Sequence, residues 1–184
     1  MTLKFVFIVT CFAIACLSYF FCHSKKDWAW LTGGLFFTVG ADYFLVLHDN
    51  HLPGVAVFCF VHVCYILRVF PTHKYKFALL AVPILVFFVF ANNALFVLAG
   101  IYATLFIFNI FINIRFCKKN RSIIITGLVL FALCDINVML FNLPRHLDIP
   151  VIFPWAFNLI WVFYLPSQLL LAVSAVKFNK LNNK

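Results

Sequence analysis

Two aspartates lie inside apolar segments, where a carboxyl group is costly. Asp42 falls in the back half of the apolar run 28–47, and Asp135 lies deep within the run 122–143. An aspartate at the centre of a membrane helix costs roughly 2.5–3.5 kcal/mol on insertion scales. Two such residues in one small bundle suggest carboxyl groups kept for proton transfer. The alternative is that each aspartate only hydrogen-bonds across a helix interface.

The composition is that of an integral membrane protein. Of the 184 residues, 66% are hydrophobic and 10% are charged, whereas soluble domains have about 45–50% apolar and about 25% charged residues. We therefore predict an all-α integral membrane protein, with a single transmembrane helical domain over residues 1–184 that crosses the membrane several times. A bacterial cell membrane is the expected location.

Seven apolar segments are predicted as transmembrane helices. They cover about residues 3–22, 28–47, 53–70, 76–91, 94–116, 122–143 and 151–177. Their lengths are near the roughly 20 residues that a membrane-spanning helix needs. A cleaved signal peptide is the alternative for the first segment. Its apolar run continues beyond the small residues that precede Cys16, which favours an uncleaved helix.

Basic residues collect in alternate links, and therefore on one side of the predicted bundle. The links after the first, third and fifth segments and the C-terminal tail hold twelve Lys and Arg residues, whereas the opposite side holds only Lys4 and Arg145. The positive-inside rule then predicts an external N-terminus and a cytoplasmic C-terminus. Because the net charge of +9 is not gathered in one patch, no nucleic-acid partner is expected. Membrane lipids are the expected partners, and the oligomeric state is left open.

The two aspartates are predicted to lie at one depth. Asp42 is 14 residues after Trp28, and Asp135 is 14 residues after Arg121. Trp28 and Arg121 are the positions at which the two segments are expected to enter the membrane from the cytoplasmic side. At 1.5 Å per residue, both aspartates would lie about 21 Å from the inner surface. We therefore expect both carboxyl groups to face one cavity in the outer half of the bundle.

Further polar residues share helical faces with one another and describe a polar core inside an apolar shell. We expect six of them to contact a substrate, although each alone is typical of an interhelical hydrogen bond. They are His62, Tyr65, Tyr102, Asn109, Tyr164 and Gln168. The seven cysteines show no CxxC spacing and are interpreted as small hydrophobic residues. Neither a metal site nor a cofactor is expected. Gly33, Gly34 and Gly40 lie mid-helix and are predicted to allow close helix approach.

Four short motifs then carry a resemblance to a known family. They are residues 37–42 (Phe-Thr-Val-Gly-Ala-Asp), 58–66 (Phe-Cys-Phe-Val-His-Val-Cys-Tyr-Ile), 131–135 (Phe-Ala-Leu-Cys-Asp) and 164–168 (Tyr-Leu-Pro-Ser-Gln). With these motifs in this order, the sequence resembles the YhhN family of membrane proteins, which includes lysoplasmalogenases. The resemblance covers about residues 30–175. Ala41 and Cys134 stand where the family usually has glycine and serine, and some relatives have eight helices.

This resemblance implies a reaction and a substrate. The reaction is hydrolysis of the vinyl ether bond of a lysoplasmalogen, a lysophospholipid, to a fatty aldehyde and a glycerophospho-base. Cleavage begins with protonation of the β-carbon, so one acid must carry a proton near neutral pH, and an apolar surrounding favours the neutral form of a carboxyl group. The second carboxylate would activate water, as in glycosidases. The alternative is a small lipid-binding or transport protein that uses the same polar core without catalysis.

Overall fold

The computed structural model describes residues 2–69, 94–146, 150 and 153–177. Six α-helices occur in these ranges: α1 (Thr2–Leu17), α2 (Lys25–Asp42), α3 (His51–Val69), α4 (Ala94–Phe116), α5 (Arg121–His146) and α6 (Ala156–Val173). All six are long and apolar enough to cross a membrane, once the short helical turns that continue α1 and α2 are included. The predicted all-helical, multi-pass architecture is therefore confirmed. The predicted segment 76–91 lies outside the described residues, so the count of seven helices and the orientation of the termini stay predictions.

The six helices pack in chain order around a common interior. Each helix contacts the next along the chain, and α6 returns to contact α1, which closes a ring. The α5–α6 and α2–α3 pairs have the most extensive contacts. Apolar side chains from α1, α2, α3, α4, α5 and α6 form one core cluster inside the ring. Polar groups inside this ring are therefore shielded from both lipid and water.

The link after α1 pairs with the C-terminal end of the described chain. A 3₁₀ turn over Ser18–Phe21 continues α1, and the segment after α6 runs antiparallel to it. The Lys177 amide donates to the Phe21 carbonyl oxygen at 2.8 Å, and the His23 amide donates to the Ala175 carbonyl oxygen at 3.1 Å. These bonds stabilise extended rather than helical backbone. The prediction that the last helix continues to residue 177 is therefore wrong.

The second helix differs from its prediction at its start and in the geometry of its last turn, although it ends at Leu47 as predicted. It begins at Lys25, three residues early, because charged side chains in a first turn can remain in water and the helix dipole favours Asp27 there. Its last turn, Tyr43–Leu47, is a π-helix. Asp42 is thus 17 residues from the start of α2, whereas Asp135 is 14 residues from the start of α5. The equal offset behind the predicted common depth is wrong by three residues, or about 4.5 Å along a helix.

Prolines explain most of the other boundary differences. Helix α3 begins at His51, two residues early, and keeps Pro53 in its first turn, where a missing N–H costs no helical bond. Helix α6 begins at Ala156 rather than at residue 151, since Pro154 and Trp155 form a turn before it. Helix α5 continues through Pro144 to His146, beyond the predicted end at 143. Helix α4 has the predicted bounds.

An ion pair connects three helices at the end of the ring where α2 begins. The Nε atom of Arg68 donates to Oδ1 of Asp27 at 2.6 Å, and its Nη2 atom donates to Oδ2 at 3.1 Å. The remaining Nη1 atom donates to the Ser174 hydroxyl at 2.8 Å. The Arg68 side chain is 3% exposed, whereas that of Asp27 is 29% exposed. The cluster therefore fixes α3 against the start of α2 and the end of α6.

Candidate functional site

The Asp42 carboxyl group is held between α2 and α6. Asp42 is 3% exposed, and the Tyr164 hydroxyl on α6 donates to its Oδ2 atom at 2.7 Å. Asp42 is the last α-helical residue before the π-helical turn. Such π-helical turns are frequent at functional sites, where they change the direction of the side chains around them. The predicted site residues Asp42 and Tyr164 thus form one hydrogen-bonded pair.

The Asp135 carboxyl group is held in the same manner between α5 and α4. The Tyr102 hydroxyl on α4 donates to Oδ2 of Asp135 at 2.5 Å. Asp135 is half-buried, and is therefore the more accessible of the two aspartates. Each aspartate on one helix thus accepts a hydrogen bond from a tyrosine on another helix. A hydroxyl donor fixes the carboxyl group and satisfies one of its oxygens.

A cluster of aromatic rings lies among the two Asp–Tyr pairs. Phe131, which is 1% exposed, has its ring centroid 5.7 Å from that of Tyr164 and 5.2 Å from that of Phe106. Phe58 contacts both Tyr102 and Phe131, at centroid distances of 6.1 and 5.8 Å. Cys134, which is 3% exposed, belongs to the same core cluster as Phe131 and Tyr164. Both carboxyl groups therefore belong to one continuous interior cluster.

A third polar group extends from this cluster through α3 and α4. The fully buried His62 ring stacks on Phe106, with centroids 4.4 Å apart, and lies 4.9 Å from the Tyr102 ring. Its Nδ1 atom is 3.2 Å from Nδ2 of Asn109, and Asn109 is in turn hydrogen-bonded by Asn113. The predicted residues His62 and Asn109 are thus in direct contact, adjacent to the Tyr102–Asp135 pair.

The other two predicted substrate residues are buried in the interior with different surroundings. Gln168 is fully buried, and neither its Nε2 nor its Oε1 atom has a hydrogen-bond partner among the described residues. It lies one helical turn from Tyr164 on α6, so a donor and an acceptor remain beside the Asp42 pair. Tyr65 is buried against Gly34 of α2 instead. Nothing in the described structure brings the Tyr65 hydroxyl to either aspartate.

Several contributors to the site were not singled out as site residues from the sequence. Asn113 lies on the same helical face as Asn109, and its spacing of four residues from Asn109 could have identified it as part of the site. Phe58, Phe106 and Phe131 separate the polar groups, but 26 phenylalanines in the chain give no signal for which ones do so. Arg68, which shares a helical face with His62 and Tyr65, is taken up by its ion pair with Asp27.

An apolar groove runs along the outside of the ring between α1 and α6. It is lined by Leu3, Lys4, Val6, Phe7, Thr10 and Leu165. The Lys4 ammonium group lies over the Trp161 ring, 3.9 Å from its centroid, and Trp161 contacts Tyr164 edge-on. A chain of contacts therefore connects the single cation of this groove with the tyrosine that holds Asp42. The largely apolar lining suits a hydrocarbon chain.

The fold and this interior define a class of protein, namely a multi-pass helical membrane protein with paired carboxyl and phenol groups in its interior. A family model described as the YhhN family matches residues 3–175. The chain belongs to the YhhN family. Comparison with curated proteins and with solved structures gives no match.

Proposed function

We propose that this protein is a lysoplasmalogenase-like hydrolase that cleaves the vinyl ether bond of a lysophospholipid. The observation that carries the proposal is the pair of interior aspartates, each held by a tyrosine from another helix around one aromatic cluster. The YhhN family is associated with hydrolase activity. Vinyl ether hydrolysis needs one proton donor and one base, and this donor–acceptor set supplies both without any further reactant besides water.

The reaction proceeds in three steps that balance. A carboxylic acid transfers its proton to the β-carbon of the vinyl ether, and the double-bond electrons form the new C–H bond. The resulting oxocarbenium ion is attacked by water, whose proton passes to the second carboxylate, as in the glycosidase pattern. The hemiacetal then collapses. The glycerol oxygen leaves with a proton from that second acid, and the hemiacetal hydroxyl returns its proton to the first carboxylate.

The exposure of the two aspartates decides which is the acid and which is the base in this proposal. Asp135 is the more accessible carboxyl group and is better placed to meet water, so we assign it as the base. Asp42, which is 3% exposed and hydrogen-bonded by Tyr164, is assigned as the proton donor. The Tyr164 and Tyr102 hydroxyls hold the carboxyl groups in position, which places the reacting groups without further reorganisation.

A lipid-binding or transport protein is the second candidate, and the groove between α1 and α6 favours it. The groove offers an apolar surface beside one ammonium group, which suits a lipid chain whether or not the lipid is cleaved. In that function the aspartates would exchange protons or bridge helices. Both candidates bind a single-chain lipid, and only the hydrolase releases an aldehyde.

The experiment that tests the proposal uses purified protein in lipid nanodiscs with a lysoplasmalogen as substrate. We expect fatty aldehyde and glycerophospho-base in equal amounts. A saturated 1-O-alkyl lysophospholipid is the matched control, because it lacks the double bond that must be protonated, and it should give no aldehyde. Binding of both lipids with no aldehyde from either would contradict the hydrolase and support the lipid-binding candidate.

A further inference from the structure

The three polar residues His62, Asn109 and Asn113 form a hydrogen-bonded row inside the ring. The side-chain Nδ2 atom of Asn113 lies 2.9 Å from the Asn109 carbonyl oxygen and 2.8 Å from the Asn109 Oδ1 atom. The Asn109 Nδ2 atom lies 3.2 Å from His62 Nδ1. All three side chains are buried, at 0%, 0% and 1% exposure. Each orientation in this row is therefore determined by its neighbour.

The backbone carbonyl oxygen of Asn109 determines the orientation of the Asn113 side-chain amide. A carbonyl oxygen can only accept a hydrogen bond, so the Asn113 side-chain atom beside the Asn109 carbonyl oxygen must be the amide nitrogen. The reverse orientation would place an amide oxygen against two acceptors. Asn113 therefore donates to Oδ1 of Asn109 as well.

The orientation of the Asn113 amide determines the orientation of the Asn109 amide and the tautomer of His62. Since Oδ1 of Asn109 accepts from Asn113, the Asn109 Nδ2 group faces His62 and donates to the ring. His62 Nδ1 must then carry a lone pair rather than a proton, because two facing N–H groups would repel. A neutral imidazole with an unprotonated Nδ1 carries its proton on Nε2.

The proton on Nε2 makes that atom a hydrogen-bond donor. It is buried, and no partner for it occurs among the described residues. The His62 ring is next to Tyr102, which holds Asp135, so the ring lies beside the Asp135 pair. We propose that Asn113 and Asn109 hold His62 in the Nε2–H tautomer, so that Nε2 donates a hydrogen bond to an oxygen of the bound lipid. Asn109 and Asn113 are then positioning residues, and His62 is the binding residue.

The chemistry of the donor defines its ligand. A single N–H in an apolar surrounding pairs best with a hydroxyl or ether oxygen, because such a ligand brings an acceptor without a second buried charge. A lysophospholipid offers a free glycerol hydroxyl next to the bond that is cleaved. The identity of the lipid rests on the proposed function, whereas the tautomer is a property of the protein alone.

The tautomer is measured by ¹⁵N NMR of histidine-labelled protein in nanodiscs without lipid substrate. The chain has six histidines, and the His62 signals are those missing from the His62→Phe variant, which keeps an aromatic ring against Phe106. We expect the Nε2 resonance of His62 to show a bonded proton and the Nδ1 resonance to show none. A protonated Nδ1 in the wild-type protein would overturn the inference, and this outcome does not depend on catalytic activity.

The role of the row is tested with Asn113→Ala. Removing the Asn113 amide frees Asn109 to rotate, so we expect a second His62 tautomer to become populated. Asn142→Ala is the matched control, since the Asn142 Nδ2 atom makes the same kind of bond to a backbone carbonyl oxygen four residues earlier, on α5. The control should leave the His62 signals unchanged. A single, unaltered tautomer in Asn113→Ala would overturn the positioning role.

The ligand is tested with the saturated 1-O-octadecyl lysophosphocholine, which cannot be hydrolysed at a vinyl ether. Saturating the wild-type protein with this lipid should shift the His62 Nε2 resonance, and His62→Phe should bind it about tenfold more weakly, the loss of one good hydrogen bond. If other resonances move on binding while His62 Nε2 does not, the donor role is overturned. Failure to release aldehyde from a lysoplasmalogen would contradict the proposed function alone and leave the tautomer result standing.

Discussion

At the scale of single residues, the site is two similar pairs with different surroundings. Asp42 and Tyr164 are both buried and meet at a change from α- to π-helix, whereas Asp135 is half-buried and meets Tyr102 in a regular helical stretch. A hydrogen bond contributes about 0.5–1.5 kcal/mol between neutral groups and about 1.5–3 kcal/mol when one group is charged. Each tyrosine hydroxyl is therefore expected to matter more for holding its carboxyl group than for the proton transfer itself.

Removing those hydroxyls should lower activity without abolishing it. We expect Tyr164→Phe and Tyr102→Phe each to reduce kcat about tenfold, since the ring stays in the aromatic cluster and only the donor is lost. Tyr43→Phe is the matched control, because Tyr43 follows Asp42 directly but is 44% exposed; it should leave kcat unchanged. Steady-state aldehyde release gives the measurement. Wild-type rates in both Tyr102→Phe and Tyr164→Phe would show that the pairs do not serve the reaction.

At the scale of helices, α2 and α3 approach closely at Gly34. A Cβ atom on Gly34 would lie 2.4 Å from the Tyr65 ring, whereas one on Gly33 would lie 3.8 Å from Cys64 Sγ. The prediction that these glycines allow close packing is therefore confirmed for Gly34 only. Gly33 and Gly40 meet ordinary contacts at 3.8 and 3.6 Å.

This difference predicts opposite effects for neighbouring substitutions. Gly34→Ala should destabilise the protein by about 1–3 kcal/mol, because the buried Tyr65 ring must move. Gly33→Ala is the matched control and should be neutral or stabilising by up to about 1 kcal/mol, the ordinary helix preference for alanine. Thermal unfolding in detergent measures both. Equal effects of the two substitutions would contradict the close α2–α3 contact.

The Arg68–Asp27 ion pair should be the main polar connection between α2 and α3. Removing one partner of a buried pair typically costs about 3–5 kcal/mol. Because Asp27 is partly exposed, we expect about 1–3 kcal/mol for Arg68→Met and for Asp27→Asn. The double variant should lose less than the sum, since both changes break one interaction.

Asp49→Asn serves as the control for that ion pair. The Asp49 side chain is 77% exposed and lies 3.5 Å from His51, so its charge should contribute less than about 1 kcal/mol. Thermal unfolding of all four variants gives the comparison. Strict additivity of Arg68→Met and Asp27→Asn would contradict the direct contact.

At the scale of the whole molecule, the charge distribution predicts the orientation. With twelve basic residues on one side against two on the other, the positive-inside rule predicts a cytoplasmic C-terminus and an external N-terminus, with seven spans between them. A reporter fused after Lys184 should read cytoplasmic, and one fused before Lys4 should read external. An external C-terminus would contradict the orientation, and termini on the same side would contradict an odd number of spans.

The sequence predicted the helical membrane fold because composition and apolar length alone determine it. It also predicted which polar residues turn inward, since Asp42, His62, Asn109, Tyr164 and Gln168 are all buried. It could not predict which of them pair. The contact of Tyr164 with Asp42 joins residues 122 positions apart, and such contacts depend on how helices rotate and pack. The boundary at Lys25 was missed because a charged first turn carries no apolar signal, and the boundary at Val173 because it depends on backbone pairing with Phe21.

The central claim is that Asp42 and Asp135 together carry out vinyl ether hydrolysis. The most direct measurement is aldehyde release from lysoplasmalogen by wild type, Asp42→Asn, Asp135→Asn and the double variant, with lipid binding measured in parallel. Each single variant should lose at least about a hundredfold in kcat, and the double variant should lose little more than the worse single one, because the two groups act as a unit. A folded Asn variant that binds the lipid and releases aldehyde at the wild-type rate would contradict the claim.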